Sequence, residues 1–459
     1  MSGTITIYEA RKIITMSPQQ PFATHVAVRD GHVLGAGSLE QLEGWGDYTL
    51  DTTFADKVLM PGMIEGHAHS MEGSVWQDKY VGYYDRTGPD GKKHKALKSI
   101  DEVVEHLQGI DAEMSDPAEP LMCWGFDPIY FKGRRMTATD LDRVSTTRPV
   151  LIVHASFHIA NVNTAVLTAA NITASTNIQG IVKGEDGNPT GELQGMPAQF
   201  MAGNAIGRHR WGEMGKVENL WRFARSAQLA GVTTTTDLAN PLEEDVITNL
   251  KAVAAQDDYP LRIVPAFMGN TSRAEDGVKK ISALIPESSN KLRFGLIKLV
   301  ADGSIQGFTA RMMDPGYYNG APNGLWYIDP DEIQSTIETY HAAGLQIHIH
   351  TNGDQATDHV LGAIETTLKK HPDPDARFTL QHCQMAHESH YQRMAKLGVG
   401  ANNLGRHGRL GGIHQVATVH AVTGNQQVRF NVSHGLLDCQ TVTRHNVCWM
   451  NLVTNQLVS

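Results

Sequence analysis

Hydrophobic and polar positions follow two different periods along this chain. Residues 4–60 carry short β-rich runs, with no convincing helical period before Pro61. Within them, Ala27-Val-Arg-Asp-Gly-His-Val-Leu34 reads as a hairpin: two strand-forming runs about an Asp30-Gly31 turn. From Pro61 the texture changes to alternating helix and strand. Glu218–Ala230 places Leu220, Phe223, Ala224 and Ala227 on one helical face, and Gly231 leads into Val232-Thr-Thr-Thr-Thr236. Asp331–Ala343 does the same with Ile333, Ile337 and Tyr340, and Gly344 leads into Leu345-Gln-Ile-His-Ile349. Tyr391–Leu397 is followed by Gly398 and Val399. Glycine just past a helix accepts the left-handed conformation that ends it. Helix, glycine, strand, repeated, predicts a parallel sheet wound by βα units. The expected fold is therefore α/β: a small β unit in residues 1–60, then a (β/α)8-type barrel in 61–403.

Two stretches interrupt the rhythm. Residues 78–98 are polar around a Gly88-Pro-Asp-Gly91 turn, and 171–210 are rich in Gly, Asn and Pro. Such insertions in a barrel either serve the catalytic mouth or are tolerated surface loops. Composition breaks near the end of the chain. Residues 397–459 hold one carboxylate, Asp438, while the other 48 Asp and Glu lie before them. Residues 404–459 are expected not to form regular barrel strands.

Charge and composition narrow the class. With 459 residues, 41% apolar and 19% charged, the chain is an ordinary globular protein. A net charge of −10 with no basic stripe excludes a nucleic-acid partner. No apolar run approaches a membrane span, and the start MSGTITIYEARK has no secretory h-region. A cytoplasmic location is the expectation, with a small-molecule partner and room for a homo-oligomer. The four cysteines have no CxxC spacing, so no disulfide framework is expected.

The 22 histidines are the unusual number. In His67-Ala-His69 the two imidazoles share one face of a strand, about 7 Å apart at Cα, and can converge on one cation. His350 and His382 each end a predicted strand, the functional end of a parallel barrel. His348 shares a face with His350 and is not excluded as the ligand. Lys298 lies in the apolar run Phe294-Gly-Leu-Ile-Lys-Leu-Val-Ala-Asp-Gly303. A buried lysine there needs a partner or a modification.

Pro61-Gly-Met-Ile-Glu-Gly-His-Ala-His69 resembles the first-strand motif of the metal-dependent amidohydrolase superfamily. Lys298-Leu-Val-Ala-Asp-Gly-Ser-Ile-Gln-Gly-Phe-Thr-Ala310 resembles the lysine strand of its family 3, the group containing N-substituted formamide deformylase. His350-Thr-Asn-Gly-Asp354 and Leu380-Gln-His-Cys-Gln384 resemble the next two histidine strands. Trp124-Gly-Phe-Asp-Pro128, His158-Ile-Ala-Asn-Val-Asn163, Gly187-Asn-Pro-Thr-Gly-Glu192 and Gly231-Val-Thr-Thr-Thr-Thr-Asp237 continue the match to about residue 403. The resemblance implies a β-sandwich with a distorted (β/α)8 barrel. It implies zinc or another divalent cation, one or two per chain, held by His67, His69, His350 and His382. Lys298 would carry carbon dioxide as a bridging carbamate. A metal-bound hydroxide would attack an amide, cyclic amide or N-formyl carbon. Asp127, His158, Asn163 and Asp302 match motif positions near the pocket. Trp124 and Phe126 read rather as core, and Asp237 as a strand-end group or a cap.

The family's last barrel strand carries an aspartate in a Ser-Asp-Ala-Pro context, which this chain lacks. Asp438 is the remaining candidate for that catalytic role. The likeness stops near Asn403, and a frameshift or truncation of the gene would account for it. Two other readings stand beside the hydrolase: a catalytically impaired metal-binding fragment, and a non-enzymatic α/β binding protein with chance histidines.

Overall fold

A computed structural model describes residues 3–402, except 132–133, 209–212, 214, 306–307 and 318–319, together with 420–423 and 426–429. The N-terminal β unit is a four-stranded sheet of β1 (Ile5–Ile14), β2 (Phe22–Arg29), β3 (His32–Gly37) and β4 (Tyr48–Leu59), in the order β3-β2-β1-β4. The predicted hairpin is the β2–β3 pair. Its turn residues, Asp30 and Gly31, have φ of 51° and 75°, the two positive values that match the twist of flanking strands. Among the described residues this unit is one sheet; the second layer of a sandwich is not among them. Met60–Gly62 then lead directly into β5 (Met63–Ala68), the first barrel strand.

A separate α/β unit follows before the barrel resumes. It contains β6 (Lys79–Tyr80), a ribbon of β7 (Arg86–Thr87) and β8 (Lys93–His94), then β9 (Leu121–Phe126), β10 (Val150–His154), β11 (Ile159–Val162), β12 (Ile181–Lys183) and β13 (Pro189–Gln194). Six of these strands make a mixed sheet, β12-β13-β11-β10-β9-β6. Both faces are apolar: Met122, Trp124, Leu151 and Val153 on one, Cys123, Phe126, Val150 and Ile152 on the other. The two polar stretches are thus the visible margins of a larger insertion. Within them lie the β7–β8 ribbon, β12, β13 and the helix Gly195–Ala205.

The barrel continues with β14 (Val232–Asn240), β15 (Arg262–Met268), β16 (Leu296–Val300), β17 (Gln346–Thr351), β18 (Thr379–His382) and β19 (Gly400–Asn402). With β5 these form a seven-stranded all-parallel sheet, β5-β14-β15-β16-β17-β18-β19. It is nearly closed. A Cβ placed on Gly66 in β5 would stand 3.1 Å from the Asn402 amide nitrogen of β19. The three helix–glycine–strand units are present: helices Val217–Leu229, Pro330–Ala342 and Glu388–Leu397, with Gly231, Gly344 and Gly398 at φ 73°, 73° and 68°. Alternation along each strand sorts its residues. Ile297, Leu299, Ile347 and Ile349 pack outward onto the helices with Phe223, Tyr340 and Ile364. Leu296 turns inward to meet Leu238 and Ala266, filling the barrel's lower interior. The inward positions above Leu296 are Lys298 and Val300, beside His348 and His350 of β17. A further two-stranded ribbon, β20 (His420–Thr423) with β21 (Gln426–Arg429), lies near the helix Glu388–Leu397. Among the described residues, no helix is long and apolar enough to cross a membrane.

Candidate metal centre

Four barrel strands deliver polar side chains to one place. β5 carries His67 near its end and His69 follows it directly; their rings meet edge-on with centroids 5.2 Å apart. The turn after them is tied to β14: the Ser70 backbone N–H donates to Asp237 Oδ1 (2.8 Å), and Asn240 Nδ2 donates to Oδ2 (2.8 Å). Asp237 is therefore a buried clamp on the HxH turn. His382 of β18 lies 4.5 Å from His67 and 4.6 Å from His350 of β17, centroid to centroid. His158, from the β10–β11 turn of the second sheet, lies 5.9 Å from His350. Imidazoles sharing one cation at about 2.1 Å have ring centres roughly 4.5–5.5 Å apart. The rings of His69, His67, His382 and His350 form such a chain.

Backbone strain helps build it. His382 and Cys383 both adopt left-handed backbone, φ 74° and 47°. Neighbours on a regular strand point to opposite faces, but here Gln381 lines the barrel interior and His382 joins the histidines. Non-glycine residues in this region are uncommon and cluster at functional sites.

Burial sets the protonation states. The pKa of His69 falls to about 3 and that of His158 to about 4, first through burial and then through the Lys298 charge. His67 and His350 are driven far below the usual histidine range for the same reasons. These rings are neutral at pH 7 and keep a lone pair for ligation. Burial also lowers Lys298 to about 7. Among the described residues its Nζ has no hydrogen-bond partner, nor does Nδ1 of His69, and both are buried. Among the described residues, no three His, Cys, Asp or Glu side chains form a ready cation site on their own. The imidazoles meet in pairs, and Lys298, outside those residue types, provides a further buried atom with no partner among the described residues. Neutral imidazoles around orphaned buried nitrogens are a donor set that fits a divalent cation once Lys298 is neutral or modified.

The amidohydrolase family model matches residues 55–426. The chain belongs to the amidohydrolase family. The match passes Asn403, where the resemblance was expected to stop, and ends short of Asp438. The chain is 26% identical over 411 residues to Protein LONG AFTER FAR-RED 3 of Arabidopsis thaliana, covering 85% of this chain and 66% of that protein. It is 27% identical over 410 residues to "Putative amidohydrolase YtcJ" of Bacillus subtilis (strain 168), covering 86% of this chain and 71% of that one. The chain thus spans about two thirds of the length of these curated relatives. Among solved structures, it resembles an uncharacterized metal-dependent hydrolase from Pyrococcus horikoshii OT3 with TM-score 0.60 and 18% identity, covering 87% of this chain and 74% of that one. One from Pyrococcus furiosus gives 0.58 and 19%, with coverage of 87% and 76%. At these identities the likeness is one of fold.

Other sequence candidates of the amidohydrolase fall in different places. Asp302 is fully buried beneath the centre. Its Oδ1 accepts from Asn352 N (2.9 Å), and its Oδ2 accepts from Gly353 N (2.8 Å) and Arg311 N (3.0 Å). It lies 3.6 Å from His350 Nε2, and burial lifts its pKa to about 7. These bonds make it a clamp joining three loops. Asn163 uses both amide atoms locally: Oδ1 accepts from Val150 N and Val166 N, and Nδ2 donates to Ser145 O and Arg148 O. The structure leaves it no atom for a ligand, so a folding role replaces the expected pocket role. Asp127 is partly buried just after β9, and Trp124 and Phe126 are core. Asp438 lies outside the described residues.

His348 has both nitrogens engaged, Nδ1 by Gln381 Nε2 (3.0 Å) and Nε2 beside Gln346 Nε2 (3.3 Å). That leaves His350, whose Nε2 faces the Gly303 carbonyl at 2.9 Å, as the β17 member of the centre with Nδ1 available. Sequence reasoning missed Gln381, adjacent to His382, and Asn352, two residues after His350, whose Nδ2 lies 3.1 Å from His350 Nε2. Their closeness to motif histidines was the available signal.

Proposed function

We propose that the chain is a metal-dependent hydrolase of C–N bonds other than peptide bonds, acting on amides, cyclic amides or N-formyl compounds. The observation that carries this reading is the meeting of His67, His69, His350 and His382 at the C-terminal ends of barrel strands, beside Lys298, whose Nζ has no partner among the described residues. The family membership and the metal-dependent hydrolases of similar fold support it. His67 and His69 would hold one zinc or similar ion and His350 and His382 a second, with a Lys298 carbamate between. A bound divalent cation supplies Lewis acidity that polarises a carbonyl and acidifies water.

The chain's own residues do the rest. Burial keeps the imidazoles neutral for ligation, Gly303 O orients His350, and Asp237 and Asp302 hold the loops that carry the ligands. His158 reaches the centre from the second sheet, where it can contact substrate. Asp438 is the candidate for proton transfer, and Asp438→Asn tests it by turnover. The main test is metal content and activity together. Purified protein should carry stoichiometric Zn, Mn or Fe and hydrolyse a member of an N-formyl, amide and cyclic-amide panel. His67→Ala/His69→Ala should lose both. Unchanged metal in that double variant would reject the assignment.

A further inference from the structure

Gln381 is fully buried in β18, in register with His350 on one side and Asn402 on the other. Its amide spans two histidines that the barrel brings in from different strands. Oε1 lies 2.7 Å from His67 Nδ1, and Nε2 lies 3.0 Å from His348 Nδ1. An amide oxygen only accepts, an amide nitrogen only donates, and a neutral imidazole has one nitrogen of each kind. The pairing therefore has a direction. His67 Nδ1 must carry the hydrogen it gives to Oε1, so the lone pair of His67 is on Nε2. His348 Nδ1 must be bare to receive from Nε2, so the proton of His348 is on its own Nε2, and the Gln346 amide 3.3 Å away must turn its oxygen toward that hydrogen.

We infer that Gln381 is a positioning residue that fixes the tautomer and ring orientation of His67, presenting Nε2 to the cation, while His348 backs Gln381 from below and takes no part in ligation. This rests on the reading of His67 as a ligand. Metal-bound histidines generally donate their second nitrogen's hydrogen to an oxygen, and losing that partner typically weakens metal binding 10–100-fold. The oxygen is usually a carboxylate, a carbonyl or water; here a side-chain amide fills the place.

Two measurements test the inference on the full-length chain. In metal-free protein labelled with 15N-histidine, long-range 1H–15N spectra should show His67 as the Nδ1–H tautomer. In Gln381→Leu that preference should be lost. In Zn2+ titrations of the metal-free proteins, Gln381→Leu should bind about 10–100-fold more weakly than wild type, while Gln381→Glu, which still accepts from Nδ1–H, should stay within about threefold. The Glu variant guards against a Leu variant that merely folds poorly. Equal Zn2+ affinity of wild type and Gln381→Leu, an Nε2–H tautomer of His67 in wild type, or a Glu variant as weak as Leu would each overturn the role of Gln381. Wild type that takes up no Zn2+, with His67 still the Nδ1–H tautomer, would instead overturn the metal reading and leave Gln381 as a residue that orients His67 alone.

Discussion

Lys298 concentrates the physical tension of this molecule. It is 2% exposed, its ammonium has no hydrogen-bond partner among the described residues, and its neighbours are imidazoles that its charge pushes further toward neutrality. A buried polar group without a partner costs about 1–3 kcal/mol in mutational data. Lys298→Met keeps the volume and removes the unmet charge. The metal-free variant should therefore be more stable than wild type by a similar amount in urea unfolding, yet lose metal. A variant that is less stable when metal-free would show that Lys298 has a partner in the fold. This residue was legible before any coordinates, because a lone cation in an apolar strand is a local anomaly. The bond from Gln381 to His67 was not, because residues 314 positions apart meet only once the barrel closes.

At the scale of elements, the regular helix–glycine–strand units were readable because period, cap and strand agree locally. The second sheet was not. Its strands β9 to β11 are continuously buried, and short apolar runs carry no period that distinguishes an inserted sheet from another barrel turn. That sheet also hides a titratable group. His154 is buried, its Nε2 is 2.5 Å from Asn161 Oδ1, and burial lowers its pKa to about 4. The folded pKa lies below the unfolded value of 6.5, so between these values the unfolded chain binds a proton that the folded chain does not. Stability should thus fall as pH drops from 6.5 toward 4, by roughly 3 kcal/mol from this group at 1.36 kcal/mol per unit. Denaturant unfolding at pH 7, 6, 5 and 4.5 checks it. His154→Gln should lose stability less steeply with acid than wild type, and parallel curves would reject the assignment.

At the scale of the whole molecule, the barrel holds the histidines and the inserted sheet closes over them. One contact that joins the two is His158 to His350, a ring from the β10–β11 turn facing one from β17. On the proposed reading, ligation falls to the barrel and substrate handling to the inserted sheet, a division that mutation can resolve. His67 and His69 sit on the barrel, and their removal should abolish metal content. His158 lies 5.9 Å from the His350 ring and comes from the inserted sheet, not from a barrel strand. His158→Ala should therefore leave metal content and thermal stability close to wild type while lowering kcat/KM at least tenfold, since positioned acid–base groups typically contribute about 10²–10⁴ in rate. Metal analysis and steady-state kinetics on the same preparation decide it. Loss of metal in His158→Ala would make the second sheet part of the ligand shell, and full activity would make it a cover that takes no part in the chemistry.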